Sequence, residues 1–194
     1  MLVDSTGMKL CGPGEWPVEK HGTQRRRAWK KLHVGLDAVS GRIVAATLTD
    51  HDIDDGSQVG PLLDQIEEPI AAFVADGAYD QTGVTETVAE HTPDAAVVVP
   101  PRSTAVPSAN AATNPTQRDR HLQHIAEHGR MAWQKASRYN VRALVEAFFS
   151  RWKRVIGDGL RFRTEDRRNT EIAIAVRILN HMLDLGRPDS VRVA

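Results

Sequence analysis

Three carboxylates far apart in the chain, Asp4, Asp76 and Glu146, stand where strands and a helix could bring them together. Asp4 breaks the apolar start of an N-terminal strand read from Met1 to Leu10. Asp76 follows the apolar run Ala71 to Ala75, and Glu146 lies in the amphipathic stretch Ser137 to Gly159. An acid in a core strand is costly unless it is paired or holds a metal; taken alone, Asp4 could equally cap a neighbouring loop. Three acids in one place repel, so they need a cation, and an all-oxygen ligand set favours Mg²⁺ or Mn²⁺. Two such ions about 3.5–4 Å apart could activate a water or a 3′-hydroxyl and stabilise the leaving oxygen of a phosphodiester.

The stretch around Glu146 adds cations to this set. At roughly 100° per residue, Tyr139, Arg142, Glu146 and Lys153 fall within an arc of about 60°. Val141, Leu144, Val145, Phe148, Trp152, Val155 and Ile156 occupy the other side, and Gly157-Asp158-Gly159 supplies a stop. The spacing predicts one helix from Tyr139 to Ile156 that buries an apolar face and presents a carboxylate flanked by two cations and a phenol. Arg142 and Lys153 would hold backbone phosphates beside the carboxylates, Arg by a bidentate fork. The plainer alternative is a helix whose polar face is merely solvated.

The series Tyr139-x2-Arg142-x3-Glu146-x6-Lys153 matches without a gap the Y-R-E-K box of insertion-sequence transposases of the DDE class. The sequence resembles most closely insertion-sequence family five. Further motifs follow in that family's order: LVDSTG at Leu2 to Gly7, KHG at Lys20 to Gly22, ADGAYD at Ala75 to Asp80, RDRHL at Arg118 to Leu122 and LNHMLDLG at Leu179 to Gly186. The resemblance implies an α/β fold of the ribonuclease H-like kind, a mixed five-stranded sheet with flanking helices. It implies that Asp4, Asp76 and Glu146 are the catalytic triad and the ligands of Mg²⁺ or Mn²⁺. It also implies that Tyr139 and Arg142 touch the strand near the scissile phosphate while Lys153 holds terminal nucleotides. The partners it implies are DNA, both element ends and target, and further copies of the chain in the DNA complex. The activity would be nicking at element ends and joining of the freed 3′-hydroxyl to a target strand. Trp133 could stack on an unpaired base, although a core tryptophan is the simpler expectation.

Members of that family carry a helix-rich DNA-binding segment ahead of the first catalytic strand, and this sequence starts three residues before Asp4. Residues 1–194 are therefore expected to be a catalytic domain without an N-terminal DNA-binding domain. A competing class is a truncated, non-catalytic DNA-binding or inhibitory partner of a full-length transposase. A cellular nuclease on the same fold would leave the Tyr/Arg/Lys box without a role.

Composition agrees with a nucleic-acid partner only once charge is resolved along the chain. The 194 residues are 41% hydrophobic, enough for one core, and carry 25 basic and 25 acidic residues. Residues 101–194 hold 17 Lys/Arg against 9 Asp/Glu, whereas residues 1–100 hold 8 against 16. Lys20 to Lys31 is a basic run without an acid; Arg25, Arg26, Arg27 and Lys30 are its candidate DNA contacts. Ordinary solvated charge is the alternative. No apolar run approaches a membrane span, no secretory pattern opens the chain, and the lone Cys11 fits a reducing cytoplasm, with nucleoid association when bound to DNA.

The remaining elements follow from pattern. Gly12 to Pro17 is a loop, and Lys31–Asp37 and Arg42–Leu48 form a hairpin about Ser40-Gly41. Ser57–Ile66 is a short helix capped by Asp54 or Asp55, with a metal role for this acidic stretch as the lesser alternative. Ala71–Ala75 and Ala95–Val99 are strands either side of helix Thr82–His91, giving the order β-β-β-α-β-α-β. The stretch 102–117 reads as a flexible loop, and Arg118–Gln134 as a helix broken at Gly129. His121, His124 and His128 share a face there, but no fourth ligand completes a zinc site. Asn169–Leu185 is expected to be a largely buried final helix.

Overall fold

The computed structural model describes residues 1–10 and 29–186. Cys11, the Gly12–Pro17 loop, the Lys20–Gly22 motif and Arg25–Arg27 lie outside the described residues.

The strand β1 (Leu2–Leu10) is the axis of the sheet. On one side it pairs antiparallel with β2 (Trp29–Leu36), which pairs antiparallel with β3 (Ile43–Asp50). On the other it runs parallel to β4 (Ala72–Val74), itself parallel to β5 (Ala96–Val98). The order is β3-β2-β1-β4-β5, with a two-residue strand β6 (Gly159–Leu160) joined parallel to the far end of β1. The five expected strands are all there; β6 is an addition that no two-residue stretch could have announced by periodicity.

Helices cover both faces of this mixed sheet. One face packs α1 (Val59–Leu63), α2 (Thr82–His91) and Tyr79 over Val3, Phe73, Ala75 and Val97. The other carries Leu2, Val34 and Val74 under α4 (Arg130–Ala136), α5 (Ala143–Val155) and α6 (Glu165–Asp184). Helix α3 (Gln117–His128) precedes α4, and the two are separated by Gly129 at φ +82°, which lets the chain break there without a Cβ penalty. Thr116 and Asp119 close a reciprocal capping box at the start of α3. Among the described residues no helix is long and apolar enough to cross a membrane.

Side chains from helices, and from the turn after α1, answer both outer edges of the sheet. On β3, the Asn180 amide donates to Ile43 O and accepts from Ile43 N, both at 2.9 Å, and Gln65 accepts from Ala46 N at 3.1 Å. On β5, Gln117 accepts from Val97 N and donates to Ala95 O, both at 2.9 Å, while His121 Nε2 lies 3.0 Å from Val97 O.

The helix expected from Tyr139 to Ile156 is split. Tyr139–Arg142 forms a 3₁₀ turn, preceded by Arg138 at φ +56°, and α5 begins only at Ala143. The buried side of α5 is Val145, Phe148, Phe149 and Trp152. Leu144 and Val155 are instead 48% and 43% exposed, because Phe149 turns into the core and rotates the packed face away from them. The final helix differs similarly: Ile172, Ala175 and Leu179 are buried, whereas Ile174, Ile178 and Met182 face outward.

This burial sets a ranking. Phe148→Ala should cost about 3–5 kcal/mol of unfolding free energy, while Leu144→Ala should stay within about 0.5–1 kcal/mol. Urea denaturation of the two variants checks it; a larger loss at Leu144 would turn α5 over.

A candidate carboxylate site at the end of the parallel strands

Register brings the first two acids together. Leu2 and Val74 are partners in the parallel pair β1–β4, and Asp4 and Asp76 each lie two residues further along. Side chains alternate along a strand, so both acids continue the face of Leu2 and Val74, the one that α5 covers. Glu146, in the first turn of α5, supplies the third carboxylate.

What joins them is Arg142. Its Nη2 donates to Asp4 Oδ2 at 2.7 Å and to Asp76 Oδ2 at 3.5 Å, and its Nη1 donates to Glu146 Oε1 at 2.5 Å. The second oxygen of each aspartate is held by backbone: Asp4 Oδ1 accepts from Ser5 N and Asp76 Oδ1 from Ala78 N, both at 2.8 Å. The side chains of Arg142 and Asp4 are 14% and 16% exposed, Asp76 37% and Glu146 63%, so the site opens to solvent on the α5 side.

Burial pushes the Asp4 carboxyl above its ordinary value, against the opposing pull of Arg142 and the Ser5 N–H. Burial likewise disfavours the Arg142 charge, but Asp4, Tyr139, Asp76 and Glu146 outweigh it and raise the guanidinium further. The Tyr139 phenol is raised by burial; its ring packs 5.4 Å from Trp133.

A second ion pair, which the sequence reading did not identify, fixes the Asp76 loop. Asp80 takes Arg118 through both oxygens, at 2.6 and 3.1 Å, and accepts from Arg102 N at 2.9 Å. Arg102 also donates to Gly77 O and Ala78 O. The last residue of the ADGAYD motif is thereby tied to the first of RDRHL; the motifs were visible in sequence, their pairing was not.

Other candidates are placed elsewhere. Lys153 is exposed two turns beyond Glu146 on α5. Lys30 departs from its expectation as a DNA contact: alternation on β2 turns it inward, where its buried ammonium bridges Asp50 at 3.0 Å and Glu165 at 2.7 Å. Trp133 is core, 1% exposed, with its indole N–H donating to His121 Nδ1 at 2.7 Å. His121 thus spends both ring nitrogens on structure, and His124 stacks on His128. Asp54 accepts from Ser57 N at 3.2 Å, but neither Asp54 nor Asp55 caps α1. A 3₁₀ turn, Gly56–Gln58, intervenes; its N-cap Asp55 makes no side-chain cap bond and faces His33 and Lys31 instead, and Gln58 stands at the N-cap of α1.

Residues 1–183 match the family model of the transposase DDE domain. The chain belongs to that family. In this transposase DDE domain the carboxylates of Asp4, Asp76 and Glu146 gather around Arg142. Their donor set suits a hard divalent cation, because it offers only carboxylate oxygens, two of them turned to one point. They are spread to the width of a guanidinium: among the described residues no three His, Cys, Asp or Glu side chains converge closely enough for one ion.

Behind the site, on the opposite face of the sheet, lies His33, the cross-strand partner of Ser5. It is wholly buried; Nε2 meets Thr49 Oγ1 at 2.8 Å and Nδ1 lies 3.4 Å from Asp55 Oδ1. Burial lowers its pKa to about 4, against the opposing charge of Asp55. The folded chain therefore holds His33 neutral, while the unfolded chain takes up a proton below about pH 6.5. That stability is fully present above about pH 6.5 and is lost as pH falls towards 4, so about 2 kcal/mol should disappear between pH 7.5 and 5. Denaturation of wild type and His33→Gln at both pH values checks this, the variant losing less over the same interval.

Proposed function

We propose that this chain is the catalytic part of an insertion-sequence transposase of family five, cutting and joining DNA strands with a divalent cation. The observation that carries the reading is the meeting of Asp4, Asp76 and Glu146 around one cationic side chain, although each comes from a different element. The strand order β3-β2-β1-β4-β5, antiparallel through β1 and parallel beyond it, supports a ribonuclease H-like arrangement.

Asp4, Asp76 and Glu146 would hold Mg²⁺ or Mn²⁺, which when bound supplies activation of a water or 3′-hydroxyl and stabilisation of the leaving oxygen. The protein's own contribution is placement. The backbone N–H groups of Ser5 and Ala78 fix the two aspartates, leaving one oxygen of each turned to the shared point. The Asp80–Arg118 pair keeps the Asp76 loop in position. Lys153 and Arg154, exposed in the last turn of α5, suit the phosphates of a strand leading into the site. Arg161 and Arg163 extend that exposed basic surface.

Asp76→Asn and Glu146→Gln should each abolish metal-dependent cleavage of a DNA substrate while leaving the fold intact by circular dichroism. Cleavage that survives in EDTA, or in Asp76→Asn, removes the proposal.

Lys153→Ala should weaken duplex binding and make its salt slope shallower by about one unit per lost phosphate contact. Gel-shift titrations at two salt concentrations read the slope. An unchanged slope with lowered thermal stability would make Lys153 a packing residue.

A further inference from the structure

The two aspartate oxygens left free by the backbone are the same two that Arg142 occupies. Asp4 Oδ1 and Asp76 Oδ1 are taken by Ser5 N and Ala78 N, and both Oδ2 atoms face the single Nη2 of Arg142. A cation that used these oxygens would need the position of that nitrogen. It would also meet a positive charge already seated there, and like charges in a half-buried site repel strongly.

Arg142 is nevertheless not fully satisfied where it lies. Its Nε is buried and has no hydrogen-bond partner among the described residues. The turn that carries it starts from Arg138 in the left-handed region at φ +56°, a conformation that costs a non-glycine residue energy. The side chain is long and its site opens on the α5 side, where Glu146 is mostly exposed. A phosphate arriving there offers a guanidinium a bidentate partner of matching geometry.

We propose that Arg142 is an exchangeable internal counter-cation. It bridges the three carboxylates, competes with a divalent ion for them, and is drawn off by a backbone phosphate when DNA binds. The inference rests on the metal-binding role proposed above for the triad. It makes DNA and metal binding mutually reinforcing, since each favours the state in which Arg142 has left the carboxylates. Such coupling is reciprocal and commonly spans about 5- to 150-fold in affinity.

The test is Mn²⁺ titration of the full chain followed by the electron paramagnetic resonance signal of the free ion, with and without a short duplex of arbitrary sequence. Wild type, Arg142→Gln, Arg142→Lys and Asp76→Asn are compared. Without DNA, Arg142→Gln should bind Mn²⁺ at least about fivefold more tightly than wild type. Arg142→Lys, whose ammonium cannot span all three carboxylates at once, should also bind more tightly, which keeps the test available if the glutamine variant does not fold. Duplex should tighten Mn²⁺ binding to wild type but leave Arg142→Gln nearly unchanged. Asp76→Asn should bind weakly in every condition. If Asp76→Asn weakens binding but neither Arg142 variant tightens it, the exchange is wrong and the triad reading stands. If Asp76→Asn binds as wild type does, or no protein binds Mn²⁺, the triad reading fails and takes the exchange with it.

Discussion

A carboxylate cannot remain ionised in a half-buried place unless something positive or hydrogen-bonding faces it. Asp4 is in that position, on the central strand, beside Asp76 and below the first turn of α5. The parallel register of β1 and β4 makes the crowding unavoidable, because it carries both aspartates to the same end and the same face. Much of the surrounding structure is an answer to that crowding. Two backbone N–H groups each take one oxygen, and Arg142 spans the rest. The 3₁₀ turn before α5 sets the guanidinium in the centre, and the aromatic underside of α5 pins that helix to the sheet.

The acids and the box residues were legible as sequence because their function depends on residue type and spacing, which a sequence states directly. Asp4 breaks an apolar run, Asp76 ends one, and Glu146 shares a helical stripe with Arg142 and Lys153. Strand existence was legible for the same reason: alternation marks the β2–β3 hairpin, and short apolar runs mark β4 and β5. Partnership was not. Nothing local says that Arg118 pairs with Asp80, or that the cation nearest the acids lies between them and not beside them.

Lys30 and Phe149 show where pattern misleads. Lys30 belongs to a run of cations that reads as a solvent-facing loop, but β2 begins at Trp29 and alternation then sends Lys30 and Lys31 to opposite faces. The inward lysine is sustained by Asp50 and Glu165, acids that no spacing rule links to it. Phe149 was outside the apolar arc drawn from an ideal helix through Tyr139. Within α5 itself, at about 100° per residue, Phe149 lies only about 40° from Val145 while Leu144 lies about 100° away, so Phe149 joins the buried face of Val145, Phe148 and Trp152.

The amide and imidazole groups that meet β3 and β5 bear on how such a sheet coexists with copies of itself. An outer strand with free N–H and C=O groups is a template on which another chain can add, and long open edges invite fibres. Here Asn180 and Gln65 interrupt one row, and Gln117 and His121 interrupt the other. Each row is broken by groups of the right polarity, supplied from helices that pack on the sheet and from the turn after α1. Among the described residues, another copy of the chain therefore meets no continuous ribbon of unpaired backbone at either margin.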